Sequence, residues 1–569
     1  MTIYVDKLDI RILRFINLRQ NQDIVVFESL TFFSNFLSIL LLLCRINVRE
    51  YKFFLGDCDR ASQSSHYEQA LRLSFEVATE LAQELCSKGF LNGLNRTFGR
   101  NTLKLSLTKY YQVELFEFMK RLVLMRSLTP KGNDIYIKKP KILSKAYIDN
   151  TSKFEKIRFY SQDSWIGARL SFVRRFLYLY FRRIYLIIIS LLNPLDIKNL
   201  SKKNKIILSN IEDTFSDKRE YRAHQFWLKS NTENVSYFVL GQATRFNLFE
   251  KSIQLGNTTL LANRSLGIAL KNHQNSRDFE VINKHKKDIY VRIFNSKLSR
   301  KIYAFSHIYH VLEKCIEIAS LAKLVNAKMF VFKECHGIYT DAIQLVSENI
   351  NIKTIAIQYS NITIRNALML STADKYLIFS EIYKEILSND TYTPKEFVVT
   401  GYLYRQAINS IKNNAINMRS SIQKKGVNLI IGYFDESVET NKWGLVSSQH
   451  HLHDLELLAK NTIKYPDLAV IFKSQFVRNS PINLYPNSSI LKTAFATGRF
   501  IVLSRGNLRN DVDPAEVALI ADICIGHLFG ATANLEVAVC GGRNILLNEY
   551  NIKPDWLRYI DRNIIFPNK

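Results

Sequence analysis

The feature that most constrains this chain is an alternation, over its second half, of short apolar runs with helix-length segments. Residues 327–332, 353–357, 375–379 and 396–400 read as strands, with helices between them over 339–349 and 381–387. After a crossing at 406–426 the pattern resumes, with strands over 427–431, 468–472, 500–503, 523–526 and 544–547 and a helix over 448–464. A helix between two strands returns the chain to the end of the sheet it left, so such strands pair in parallel. Strands covered on both faces also read as unbroken apolar runs, as these do. The pattern predicts two parallel-sheet units in tandem.

The first half is less regular. Strands are expected over 23–27 and 51–55, a buried helix over 29–44, and further helices over 67–87 and 109–126. The longest apolar-aromatic helix covers 173–192, and the highly charged stretch 202–222 reads as a linker or surface insertion. A chain of 569 residues outgrows a single hydrophobic core. The expected division is 1–420, with a helical insertion around 150–225, and 421–569.

Charge is distributed unevenly between these parts. The chain carries 78 Lys and Arg against 51 Asp and Glu, a net of +27. From Ser421 to Lys569 sixteen basic residues face fourteen acidic ones, so +25 of that excess lies in 1–420. A basic half suits nucleic acid, an anionic membrane surface or an anionic substrate, and charge alone does not choose among them. Finger, RNP and helix-turn-helix signatures are missing and the basic residues are scattered, which argues against nucleic acid.

The seven cysteines form no CxxC pair, and an odd count over a long chain argues against a disulfide framework. A reducing compartment fits, and the N-terminus lacks the layout of a signal peptide. The apolar stretches 36–44 and 184–192 are about half the roughly 20 residues a membrane span needs. The expected location is cytoplasmic, peripheral on the inner face of the plasma membrane.

The segment richest in chemistry is 521–547. It reads as a strand, a Gly/Ala/Thr turn, a short helix, a Gly541-Gly542 break and a second strand. Small residues at Gly530, Ala531, Thr532 and Ala533 let a phosphate approach backbone N–H groups at a helix N-terminus, where unpaired donors and the helix dipole favour anions. Glu536, one turn in, can accept from ribose hydroxyls. An ordinary strand–helix connection would give the same pattern.

In order, Asp522, Gly530, Thr532, Glu536 and Gly541-Gly542 resemble the C-terminal donor site of GT-B glycosyltransferases, especially those of bacterial capsule, lipopolysaccharide and related surface sugars. The resemblance runs from about Ala327 to the C-terminus and is weaker before it. It implies an α/β fold of two Rossmann-like domains facing a cleft, with extra helices in the N-terminal half. It also implies a nucleotide-sugar donor, an anionic or lipid-linked glycan acceptor, and no cofactor or metal. Thr532 and the 531–533 backbone would take the nucleotide diphosphate and Glu536 the ribose, with His527 and Gly530 completing the set.

Three further segments resemble the same family. Lys473 in Ile471-Phe472-Lys473-Ser474-Gln475 matches the lysine of a Lys-Pro-His strand end that faces the donor phosphates, while Gln475 replaces the histidine. Gln358 matches the first residue of a Gln-His-Gly strand end, whereas Tyr359 and Ser360 depart from it. Gly401, in Val399-Thr400-Gly401, matches the Val-Thr-Gly that closes the N-terminal domain; Gln358 and Gly401 are expected at the cleft. The chain stops at 563–569, where such enzymes usually add a helix crossing back to the N-terminal domain.

No catalytic base announces itself. Glu334 and His336, in the loop after 327–332, are the candidates for deprotonating an acceptor hydroxyl. Asp57-Cys58-Asp59 resembles the Asp-x-Asp of GT-A enzymes, although a polar strand exit reads the same way. Asp511-Val512-Asp513 reads better as the cap of a helix beginning near Pro514. His450 and His453 share a helix face but have no second ligand cluster, and read as a solvated helix start. Arg174, Arg175, Arg182 and Arg183 fall on one side of the 173–192 helix and are expected to meet anionic lipid headgroups. The functional expectation is transfer of a sugar from a nucleotide-sugar to a surface-glycan acceptor. Two alternatives remain: a polyol-phosphate transferase of the CDP-glycerol type on the same fold, and a non-catalytic basic binding protein.

Overall fold

The computed structural model describes residues 2–5, 23–26, 41, 47–50, 60–87, 91, 94, 101–129, 134–143, 157–160, 165–192, 204–211, 235–241, 254–255, 258–261, 269–272, 279–333, 337–388, 391–402, 408–435, 448–474, 477–505, 512–528, 532–548, 552–559 and 565–566. Its strands form three sheets in chain order. The first holds β1 (Thr2–Val5), β2 (Asp23–Val26), β3 (Asn47–Glu50), β4 (Asp134–Lys138) and β5 (Ile157–Tyr160), in the order β3-β2-β1-β4-β5. Two long helices, α1 (Arg60–Cys86) and α2 (Thr102–Leu128), intervene, and α3 (Trp165–Leu192) follows.

The second sheet holds β6 (Asn204–Ile211), β7 (Val235–Gly241), β8 (Gln254–Leu255), β9 (Thr258–Leu261), β10 (Ala327–Lys333), β11 (Lys353–Ile357), β12 (Lys375–Ile378) and β13 (Glu396–Val399). Its helices are α4 (Glu280–Asn295), α5 (Ser299–Leu324), α6 (Ile338–Asn349) and α7 (Glu381–Leu387). The third sheet holds β14 (Leu429–Phe434), β15 (Leu468–Lys473), β16 (Phe500–Val502), β17 (Ile523–His527), β18 (Asn544–Leu547) and β19 (Ile565–Phe566). With it go α8 (Ile408–Gln423), α9 (Ser448–Lys464), α10 (Ser489–Ala496), α11 (Pro514–Ile520) and α12 (Thr532–Val539).

Every strand pairing is parallel except that of β8 with β9. The second sheet runs β13-β12-β11-β10-β6-β7-β9-β8 and the third β16-β15-β14-β17-β18-β19. Each therefore reverses direction once, between β10 and β6 and between β14 and β17. In open α/β sheets such reversals open a crevice outside the carboxyl ends of the strands. These two sheets are the two Rossmann-like units expected.

The first half departs from the sequence reading. A third parallel sheet occupies 2–160, where the expectation was scattered strands and helices. The charged stretch assigned to a linker contains β6, an inner strand paired with both β10 and β7. Its apolar core, Ile206-Ile207-Leu208, is short, and flanking charges hid it. The strand expected at 51–55 is preceded by β3, and 51–55 and most of 29–44 lie outside the described residues. Helix α8 packs in the core of the third sheet through Ala415 and Ile422. Two of the three sheets lie within 1–420.

Helix α2 is tied to the second sheet's unit by buried polar contacts. Lys109 Nζ lies 2.8 Å from Asp341 Oδ1, and Ser106 Oγ donates to Asp341 Oδ2 at 2.8 Å and lies 3.0 Å from His307 Nε2. Thr102 meets Thr372 at 2.7 Å, Thr108 meets Tyr392 at 2.9 Å, and Gln112 accepts from the Ala367 N–H at 2.7 Å. Burial pushes His307 down to about 4, so the ring is neutral at neutral pH.

Removing one member of a buried ion pair strands the other charge. Lys109→Met should therefore cost about 3–5 kcal/mol, and the double variant Lys109→Met/Asp341→Leu distinctly less than the sum of the two single changes. Urea denaturation of the four proteins measures both quantities; strict additivity would contradict the pair's role.

Candidate donor cleft

Two hydrogen bonds join the second and third sheets where their carboxyl ends meet. Asn361, four residues past β11, donates its backbone N–H to Thr532 Oγ1 at 3.0 Å. Tyr402, three residues past β13, donates its hydroxyl to Glu536 Oε1 at 2.7 Å. Thr532 opens α12, the helix following β17. The start of α12 therefore faces the other unit across the junction. A second tie comes from the C-terminal segment. Asp555 Oδ2 accepts the Arg365 N–H at 2.7 Å, the Asp555 N–H donates to Thr363 O at 2.9 Å, and Arg72 reaches Asp555 Oδ1 at 3.0 Å. The segment 552–559 thus reaches back to the N-terminal half.

Gly526 leaves room over β17 for a side chain of α12: a Cβ on this residue would lie 2.0 Å from Asn534 Oδ1. Asn534, so placed, donates to Asn544 Oδ1 at 2.8 Å and fixes the first turn to β18. Thr532 and Ala533 remain half-buried. Glu536 is buried, and its second oxygen accepts the Ala515 N–H at 3.1 Å in the first turn of α11. One carboxylate thus connects Tyr402 of one unit to two helix starts of the other.

Below α12 the carboxyl edge of the third sheet carries several buried polar side chains. Lys473 ends β15, and its Nζ donates to Ser474 O at 3.3 Å. Asp435, directly after β14, places Oδ1 2.7 Å from His451 Nε2. Burial holds the Asp435 carboxyl above its ordinary range, opposed by His451 and by the Lys473 charge. His451 Nδ1 is 2.7 Å from the Tyr485 hydroxyl. His527, ending β17, places Nε2 2.9 Å from the Tyr433 hydroxyl and 3.7 Å from Asp454 Oδ2. The reversal between β14 and β17 is thus lined by Asp435 and His527, with Lys473 one strand away.

The other expected residues are distributed differently. Gln358 is buried and serves as a backbone clip, with Nε2 donating to Ser360 O at 3.1 Å and Oε1 accepting the Phe379 N–H at 2.9 Å. Gly401 takes φ +72°, the left-handed turn that carries the chain from β13 to Tyr402. Glu334, His336, Gln475, Gly530 and Ala531 lie outside the described residues, as do Asp57, Cys58 and Asp59. Lys333 and Gly337 flank the first two of these, at the end of β10 and the start of α6. Asp513 precedes Pro514 at the N-terminus of α11, as expected of a cap position, but its side chain makes no capping hydrogen bond.

Sequence reading did not single out Asp435, Tyr433, His451 and Asp454 on the third sheet, or Asn361 and Tyr402 opposite. It paired His450 with His453, whereas α9 turns His451 and Asp454 inward. A usable signal existed: Asp435 is the first charged residue after an unbroken apolar strand. Among the described residues no group of three or more His, Cys, Asp or Glu is arranged to hold a metal ion.

No family model matches the chain, and no curated protein matches it. Among solved structures it is similar to α,α-trehalose-6-phosphate synthase from Burkholderia multivorans, at 11% identity and a TM-score of 0.35, over 61% of this chain and 82% of that one. It is also similar to the wall teichoic acid polymerase TagF, at 12% identity and a TM-score of 0.35, over 71% and 85%. A third is UDP-GlcNAc 2-epimerase from Neisseria meningitidis bound to UDP-GlcNAc, at 10% identity and a TM-score of 0.31, over 58% and 78%. The fold itself is α/β, with two Rossmann-like parallel-sheet units joined at their carboxyl edges and a further parallel sheet before them.

Proposed function

We propose that this chain is a GT-B-type glycosyltransferase that moves a sugar from a nucleotide-sugar donor to a lipid-linked surface-glycan acceptor, at the cytoplasmic face of the membrane. The observation that carries the reading is the start of α12, set on the carboxyl edge of the third sheet and turned toward the opposite unit. The N–H groups of a helix's first turn and the positive end of its dipole suit a diphosphate there. Thr532 adds a hydroxyl, and Lys473 adds a cation on the neighbouring edge. As the glycosidic bond breaks, negative charge grows on the departing diphosphate. Fixed N–H dipoles and an ammonium stabilise that charge without reorganising.

Glu536 already accepts a hydroxyl from Tyr402. A ribose hydroxyl is the same kind of donor, so the nucleotide would take the place of the Tyr402 hydroxyl on this carboxylate. The acceptor would enter from the second sheet's side, where Glu334 or His336 would remove its proton. Neither step calls for a metal. Capsule or lipopolysaccharide assembly is the process that uses such a reaction.

A thermal-shift screen of UDP-, GDP- and CDP-activated and CMP-activated compounds should give a rise in melting temperature with one nucleotide class. A rise with CDP-glycerol alone would instead mark a polyol-phosphate transferase, and no rise with any compound contradicts the reading. Lys473→Ala should weaken the hit by about tenfold or more, the range of a charge-assisted hydrogen bond.

The two partners on Glu536 should respond in opposite senses. Tyr402→Phe removes a competitor and should tighten nucleotide binding a few-fold, while Glu536→Gln should weaken it by about tenfold. Calorimetric titration with the hit nucleotide reads both. Equal losses in both variants would show that the pair is only a strut.

A further inference from the structure

We propose that the outer face of α3 lies in the interface of an anionic lipid bilayer and holds the second sheet's unit against it. An ordinary surface helix turns its polar side to water. Helix α3 does the opposite. Phe172, Leu179 and Leu186 are buried, and Phe172 packs edge-on against Tyr309 of α5 with ring centroids 5.5 Å apart. The outward side carries Leu170, Leu177, Tyr178, Phe181, Tyr185 and Ile188, with Leu170, Tyr178 and Phe181 between 62% and 66% exposed. At about 100° per residue these six fall within roughly 100° of arc, opposite the buried set.

The four arginines divide between the two sides. Arg182 turns inward to an ion pair with Glu317 and reaches the Tyr339 hydroxyl at 3.3 Å, and Arg183 lies 3.9 Å from Glu313. The expectation that all four meet lipid is corrected accordingly, because buried carboxylates on α5 capture two of them. Arg174 and Arg175 are exposed, and among the described residues neither has a carboxylate within ion-pair distance. Arg174 falls inside the apolar arc, and Arg175 lies about 60° beyond its edge, between Arg182 and the buried face.

This pattern decides the occupant. A two-fold contact between copies would bury Arg174 near its own symmetry mate, two like charges taken out of water. A bilayer surface accepts the apolar side chains among its acyl chains while the arginines extend to phosphate. Tyrosines at the rim suit the same depth. Among the described residues no helix is long and apolar enough to cross a membrane, so α3 lies on the surface.

The docked helix is also bound to the acceptor side. Tyr339, which Arg182 contacts, stands in the first turn of α6, directly after Gly337 beyond the carboxyl end of β10. The bilayer would therefore present a membrane-borne acceptor near the edge where the transferase reading puts it. That consequence rests on the reading, but the docking does not.

Flotation of the full chain with phosphatidylcholine vesicles, with and without phosphatidylglycerol, tests the proposal. The chain should float with anionic vesicles, less with neutral ones and less at high salt. Arg174→Gln/Arg175→Gln should lower vesicle affinity by roughly tenfold, about a few-fold per charge. Leu170→Glu/Tyr178→Glu/Phe181→Glu should abolish it. Both variants should keep the wild-type melting temperature and any nucleotide-induced shift; if the triple variant does not fold, the arginine pair carries the test. A chain that stays unbound with anionic vesicles, or a folded triple variant that floats as wild type does, overturns the docking. So does a dimer that the triple variant dissolves. Vesicle binding without any nucleotide binding would leave the docking standing and remove the transferase reading.

Discussion

Two units of parallel sheet can form a site only if their carboxyl ends are held facing each other, and here apolar packing across the junction is joined by a few polar contacts. The Tyr402 hydroxyl on Glu536 and the Asn361 N–H on Thr532 span the junction directly. Glu536 is the more demanding of the two, because a buried carboxylate must have its lone pairs met or it destabilises the fold. It meets this requirement with one partner from each side of the junction. A ligand that offers a hydroxyl can then exchange with Tyr402 without leaving the carboxylate unpaired. The same residue that fixes the closed arrangement is thus suited to sense a ligand.

The rest of the molecule supports this alignment from behind. Asp555 brings the C-terminal segment back to Thr363 and Arg365, close in sequence to Asn361. Helix α2, which follows the first sheet's third strand, is anchored in the second unit by Lys109 and Asp341. Buried polar contacts of this kind add little net stability, but they penalise any other docking. Apolar packing alone would leave α2 free to slide by a turn.

What was legible in the sequence follows from which physical signals are local. From β10 onward the strands are continuous apolar runs, and nearly all were placed within two or three residues. In the first half the 23–27 strand and the helices at 67–87, 109–126 and 173–192 were found, but the other strands are marked less clearly. In β6 the apolar core is three residues long between charges, and Thr2–Val5 is a strand only because β2 and β4 pair with it. The site divided along the same line. Residues on one short segment, such as Thr532 and Glu536, could be read from their spacing. Asp435 with His451, and Tyr433 with His527, could not be paired, because each pair meets only when the fold sets β14 beside α9 and β17. Tyr402 on Glu536, a contact between residues 134 apart, lies beyond any reading of spacing. The basic excess of 1–420 is a matter of counting, but a count does not show which charges face inward, and two of the 174–183 arginines serve the interior.

In the proposed complex the backbone N–H groups opening α12 hold a nucleotide's phosphates while the two carboxyl edges stay joined. Amide hydrogen exchange of the full chain, with UDP, GDP, CDP and CMP added in turn at saturation, reads those groups directly. One nucleotide should slow exchange over 532–536 and leave the buried strand β15 unchanged. Unaltered exchange over 532–536 with all four, or protection confined to the first sheet, would contradict the account.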